Sequence, residues 1–210
     1  LQAFTYSAID QCALPSNQMA TLLGYLHIAF QPFFINALAL YFIPKAAAQK
    51  VALFAHTGCF IATIMMLISL YPFSWAGHCT PGDTMCADQL CSVSGNWHIA
   101  WGVPYNTLNY AHWLAFSKDL AAWPPLHFLL NTAYANPYYV IMAFIAPFLY
   151  GSWRLTTYHL LVGPVLASLM TNNQNERPAV WCLLSIGILL IVVKTRFREY
   201  LHIKKMWFWN

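Results

Sequence analysis

Residues 179–193 read AVWCLLSIGILLIVV, a stretch with one hydroxyl and no charge, followed at once by Lys194. A helix over this stretch is apolar on every face, and such a helix belongs in lipid or in a protein core. Four stretches of similar character lie upstream, at residues 19–43, 51–71, 126–150 and 154–170. A bilayer core about 30 Å thick takes roughly 20 apolar residues per helix, and these segments meet or approach that length. The sequence therefore predicts an all-α fold, a polytopic transmembrane helix bundle of five or six spans with an external Cys-containing loop. It reads as a single integral membrane domain over residues 1–210, with 179–193 at the lipid-facing periphery. Connections are short, and no internal repeat, heptad array or low-complexity segment is visible.

Composition points the same way. Hydrophobic residues make up 60% of the chain and charged residues 8%, with a mean hydropathy of +0.51. A soluble domain spends about 25% of its residues on charge to cover its surface. Nine Trp, twelve Tyr and fourteen Phe suit the two membrane interfaces, where amphipathic rings collect. A membrane β-barrel would instead read as short alternating segments. The net charge of +4 is no nucleic-acid signal, because Lys194, Arg196, Arg198, Lys204 and Lys205 crowd the C-terminus. That pattern fits a cytoplasmic anchor against anionic lipid. The expected partners are the lipid bilayer and either other membrane proteins or further copies of the chain, with no nucleic acid. The chain opens on Leu1, which predicts a cleaved signal peptide or an absent first helix.

The span count turns on residues 72–125. A Gly, Pro and Cys loop leads into SGNWHIAWGVPYNTLNYAHWLAF at 94–116, long enough to cross but rich in Asn, His and Trp and interrupted by Pro104. It reads either as a sixth, kinked span or as an interfacial or re-entrant helix. Positive charge arbitrates. If 94–116 does not cross, Lys45, Lys50, Arg154 and the C-terminal cluster share one side, with only Lys118 and Arg177 opposite. The charge rule thus favours five spans, a cytoplasmic C-terminus and an external Cys loop.

In that topology Cys12, Cys79, Cys86 and Cys91 are all external, where disulfides persist. Two bridges are expected, with three pairings open. Cys59 and Cys182 fall inside spans as small core residues.

All six carboxylates fall in loops or at segment ends, whereas His27, His56 and His159 lie inside spans and His98, His112 and His127 flank or enter them. Ionisable groups in a membrane are costly and usually face the bundle interior. His27 and Gln31 share a helix face, Asn36 lies deeper, and His98, Asn96 and Trp97 follow the Cys loop. His98, Trp101, Tyr105 and His112 recur at helical spacing. A six-span chain would put His27, His98 and His159 at similar depth. A five-span chain would level His159 with His56 instead. Neutral imidazoles in an apolar bundle suit a transition metal or haem. The candidate ligands are His27, His98 and His159, with Gln31, Asn36 and Asn96 completing a polar ligand site near the external face.

Three functions follow: a membrane metalloprotein for redox or hydrolytic chemistry, a transporter or ligand-binding protein using the same polar face, or an accessory subunit of a larger assembly. Motifs that would name a reaction are absent, among them HExxH, the nucleophile elbow, the Walker loop and the Gly-rich dinucleotide fingerprint.

Overall fold

The computed structural model describes residues 2–73, 75–79, 84–106 and 137–204. A short helix α1 (Gln2–Thr5) and a 3-10 turn (Tyr6–Ala8) precede α2 (Pro15–Tyr41) and α3 (Lys45–Ile68). The strands β1 (Cys91–Ser94) and β2 (Ile99–Gly102) form an antiparallel hairpin. α4 (Pro137–Leu149) contains a π turn at Ile141–Ile145. α5 covers residues 153–170 and contains a second π turn at Leu161–Val165. α6 (Arg177–Lys194) and the five-residue α7 (Phe197–Leu201) close the described chain.

Among the described residues the molecule is mostly helical with one small sheet. α2 and α3 are long and apolar enough to cross a membrane. Helices stand where the apolar runs predicted them, except that the run at 126–150 is described only from Pro137. Proline explains several boundaries. Pro15 opens α2 at its first turn, where the missing N–H is no loss, and Pro44 caps α3. Gly151, at φ 106°, ends α4 in the left-handed region that only glycine enters freely.

Side-chain bonds orient the helices. The Tyr25 hydroxyl donates to the Met66 carbonyl (2.7 Å) and Thr63 to that of Ala29 (2.8 Å), so α3 runs back along α2. Tyr139 reaches Gln31, and Tyr150 reaches Asn36, so α4 descends beside α2. α5 returns, α6 descends again, and Ile203 N–H donates to the Phe42 carbonyl at 2.8 Å. One end of the bundle, the base, gathers the 42–44 turn, the start of α5 and residues 194–204. The other end carries the hairpin and both disulfides, and forms a cap.

The hairpin corrects the expected helix at 94–116, as far as 106. Ile99, Trp101, Val103 and Tyr105 alternate along an extended chain and all are buried. In a short apolar run, helical spacing and strand alternation coexist, and periodicity cannot separate them. Pairing decided it: Val103 N–H donates to Met85 (2.7 Å), Trp101 N–H to Asn175 (3.0 Å) and Cys79 N–H to Tyr105 (3.0 Å). Asn106 stays at the cap end, its amide donating to the carbonyls of Ile68 and Tyr71 at the end of α3. His112, His127 and Lys118 lie outside the described residues.

Candidate functional site

Polar chemistry collects in two places, between the helices and under the cap. Between the helices, His159 is 6% exposed. The Trp181 indole N–H donates to its Nε2 at 3.3 Å, and Phe144 stacks on the ring at 4.9 Å, 16° from parallel. Gly163, one turn along α5, makes room for that indole: a Cβ there would sit 2.8 Å from the indole Cδ1. Tyr139 packs edge-on against Trp181 (5.4 Å) and donates its hydroxyl to Gln31 Oε1 (2.9 Å). An indole has only a donor to offer, so Nε2 must accept, and in the neutral ring Nδ1 then carries the proton. That Nδ1 is buried and has no hydrogen-bond partner among the described residues.

Asn36, fully buried, forms a second cluster. Its amide donates to the carbonyls of Pro32 (2.8 Å) and Met142 (2.7 Å), and its oxygen accepts from Tyr150 (3.0 Å). Met142 belongs to the π turn of α4, where the widened coil frees carbonyls from the helical ladder.

Under the cap, the centre is a carboxylate. Glu176 is 0% exposed. Its oxygens accept the backbone N–H groups of Asn96 (3.0 Å), Trp97 (2.9 Å) and His98, and the Thr171 hydroxyl (2.5 Å). Successive amides pointing into one concavity form an anion nest. Gly95 is obligatory beside it, because a Cβ there would lie 2.6 Å from the Glu176 carboxyl carbon. Burial pushes the Glu176 pKa up, but the four hydrogen bonds together outweigh it and hold the carboxyl below its ordinary value. The same loop fastens to the rest of the cap through Asn175, which accepts Met85 N–H, and Gln174, which accepts the Thr84 hydroxyl. On the other flank, Asn17 bonds the carbonyls of Ala8 and Ser92 and accepts Ser92 N–H. Asp10 accepts from Ser94, which lowers its pKa.

The predicted residues separate. His27 is exposed on α2 and His56 on α3. His98 is buried in the cap, with Nδ1 2.6 Å from the Tyr6 hydroxyl. Burial lowers its pKa, and the Glu176 charge offsets part of that shift. His27, His98 and His159 do not converge, and no group of three His, Cys, Asp or Glu that could hold a metal exists among the described residues. Gln31 and Asn36 face the helix interior, while Asn96 is an exposed cap residue whose amide reaches Thr171 at 3.3 Å. The expected disulfides are present, paired Cys12–Cys91 and Cys79–Cys86, and Cys59 and Cys182 are free. Sequence reasoning passed over Glu176 because it sits in the polar run TNNQNER, which reads as an ordinary loop.

These features define a class: a helical protein with an apolar exterior, a polar seam between helices and a disulfide-braced hairpin at one end. The chain belongs to a family of unknown function, DUF5765, whose model matches residues 1–202. No curated protein and no solved structure matches it.

Proposed function

We propose that the chain is a five-span membrane protein that binds a small apolar ligand between its helices at His159. The observation that carries the ligand reading is the buried Nδ1–H without an acceptor among the described residues. A buried donor left unpaired costs about 1–3 kcal/mol, and a ligand oxygen would recover that. Two π turns lie on the helices that hold His159 and Phe144, and single π turns often mark functional sites. The aromatic neighbours Phe144 and Trp181 would favour an apolar molecule with a carbonyl oxygen, such as a quinone or aryl ketone. A metal or haem at His159 fits less well, because Nε2 is engaged by Trp181 and Nδ1 carries the proton, so the neutral ring has no lone pair to give.

Charge supports the five-span topology. Lys45, Lys50, Arg154, Lys194, Arg196, Arg198 and Lys204 gather at the base, whereas Asp10, Asp88 and Glu176 lie at the cap with Arg177. Basic residues concentrate on the cytoplasmic side, and disulfides persist on the other. Large exposed apolar side chains along the helices, among them Phe34, Leu53, Phe60, Ile186 and Leu190, suit lipid contact.

The test is a purification without chelators or a histidine tag, followed by mass spectrometry of the organic extract, elemental analysis and a visible spectrum. The expected result is an apolar carbonyl compound in the wild type, lost in His159→Phe and kept in His202→Ala, with menadione raising the melting temperature of the stripped wild type only. Bound metal lost equally from His27→Ala, His98→Ala and His159→Phe would overturn the ligand reading and restore the metalloprotein. Neither ligand, metal nor menadione response, with a protein partner retained in mild detergent, would replace both with an assembly role.

A further inference from the structure

The base of the bundle holds a second feature, independent of the His159 site. α6 ends at Lys194, and the chain turns through Thr195 and Arg196 into α7. α7 is docked on the bundle. Phe197 packs on Tyr158 (4.9 Å between rings), Leu201 is 1% exposed, and the Arg154 guanidinium lies 5.0 Å above the Tyr200 ring. Arg154 Nη1 also donates to the carbonyls of Tyr200 (2.8 Å) and His202 (3.3 Å). One side of α7 is thereby committed to α5, and His202 and Ile203, just beyond it, are committed to the turn after α2.

What remains is a cleft of about 230 Å³ lined by Lys194, Thr195, Arg196, Arg198 and Glu199. Its three cationic side chains make no hydrogen bond or ion pair among the described residues. Thr195 Oγ1 accepts the Phe197 N–H at 3.2 Å, which fixes the turn that spaces them. Three cations and one carboxylate leave a surplus of two positive charges in one concavity. Guanidinium forks match the paired oxygens of a phosphate, and a lysine ammonium adds a point charge.

We propose that this cleft binds a phosphate oxyanion, supplied by the headgroup of an anionic phospholipid in the leaflet at the base. The identity of that leaflet in the cell rests on the topology above; the cleft itself does not. A docked α7 distinguishes this site from a loose basic tail, which attracts anionic lipid only through its summed charge.

The test uses the full chain in nanodiscs of phosphatidylcholine doped with phosphatidylglycerol or phosphatidic acid, with retained lipid counted by native mass spectrometry. The wild type should hold one anionic lipid per chain at low mole fraction. The triple variant Lys194→Gln/Arg196→Gln/Arg198→Gln should bind it about 100-fold more weakly, roughly five-fold per cation. Its melting temperature in pure phosphatidylcholine should match the wild type, which shows that the fold survives. Lys45→Gln/Lys50→Gln removes two charges from the same end without touching the cleft. An equal loss per charge in that variant would overturn the site in favour of a diffuse field. Displacement of the lipid by millimolar inorganic phosphate would overturn the lipid as the source. Both faces of a nanodisc are alike, so the outcome is independent of cellular orientation. That orientation is read separately, by labelling Lys45→Cys in intact cells.

Discussion

Replacing Glu176 with Gln tests whether the cap is held by a carboxylate. Oε1 accepts the N–H groups of Trp97 and His98, and Oε2 accepts the Asn96 N–H and the Thr171 hydroxyl. A glutamine has one oxygen to place. Its better orientation keeps that oxygen at the Oε1 position and turns the amide toward Thr171, whose hydroxyl oxygen already accepts the Asn173 N–H and the Asn96 side-chain amide. The Asn96 N–H then faces a second donor, a loss of about 1–3 kcal/mol for a donor left unpaired against the buried side chain. The two surviving bonds lose their charge, and neutral bonds are roughly half as strong as charge-assisted ones. Together the change amounts to about 3 kcal/mol, or about 100-fold in a local opening equilibrium. Hydrogen exchange reads it directly: the amides of Asn96, Trp97 and His98 should exchange about 100-fold faster, while amides in the middle of α3 stay unchanged. Protection within about three-fold of wild type at those three amides would refute the reasoning, since the carboxylate would then not be what shields them.

Acid should reach the same state without mutation. The Glu176 pKa is depressed on folding, so its contribution is complete above the ordinary glutamate value of 4.5 and fades as pH falls through the lower folded value. His98 is also depressed, so the unfolded chain takes up its proton first and stability declines from pH 6.5 downward; a pH series of cap exchange should lose that upper limb in His98→Gln. Alkylation of the denatured, unreduced chain should add two labels, at Cys59 and Cys182, and six after reduction; any other count refutes the pairing scheme. Gly163→Ala pushes a methyl against the Trp181 indole, and the expected loss of about 1–3 kcal/mol should shrink in a Trp181→Ala background. Asn36→Leu removes two donors and strands the Tyr150 hydroxyl, which should cost about 1–2 kcal/mol in detergent unfolding, the upper range for interhelical bonds.

The helices were legible because their apolar runs are long, and because Lys, Arg and Pro punctuate them at 44, 45, 177 and 194. What the runs conceal is the widening of α4 and α5 into π turns, since the extra residue leaves composition unchanged. The cysteines announced two bridges, but only the folded hairpin brings Cys91 to Cys12 across 79 residues. Asn36 was legible as a deep polar group on a helix face, and so was His159. Their partners Met142 and Trp181 were not, because one offers a backbone carbonyl and the other reads as an ordinary apolar residue. Glu176 was invisible for a different reason. Nothing in a polar loop distinguishes a solvated carboxylate from one enclosed by amides 80 positions earlier, and Gly95 was the single local hint.

The position of Glu176 also orders how the protein can be made. Both strands of the hairpin and all four paired cysteines lie within the first 102 residues, so the elements of the cap other than residues 171–176 are all present early in the chain. The carboxylate that binds the hairpin loop arrives only after α4 and α5. Until then three backbone amides at 96–98 stand open, and the nascent cap lacks the anchor that ties it to the helices. Closure of the last loop fills that nest, so cap and bundle are completed in one event.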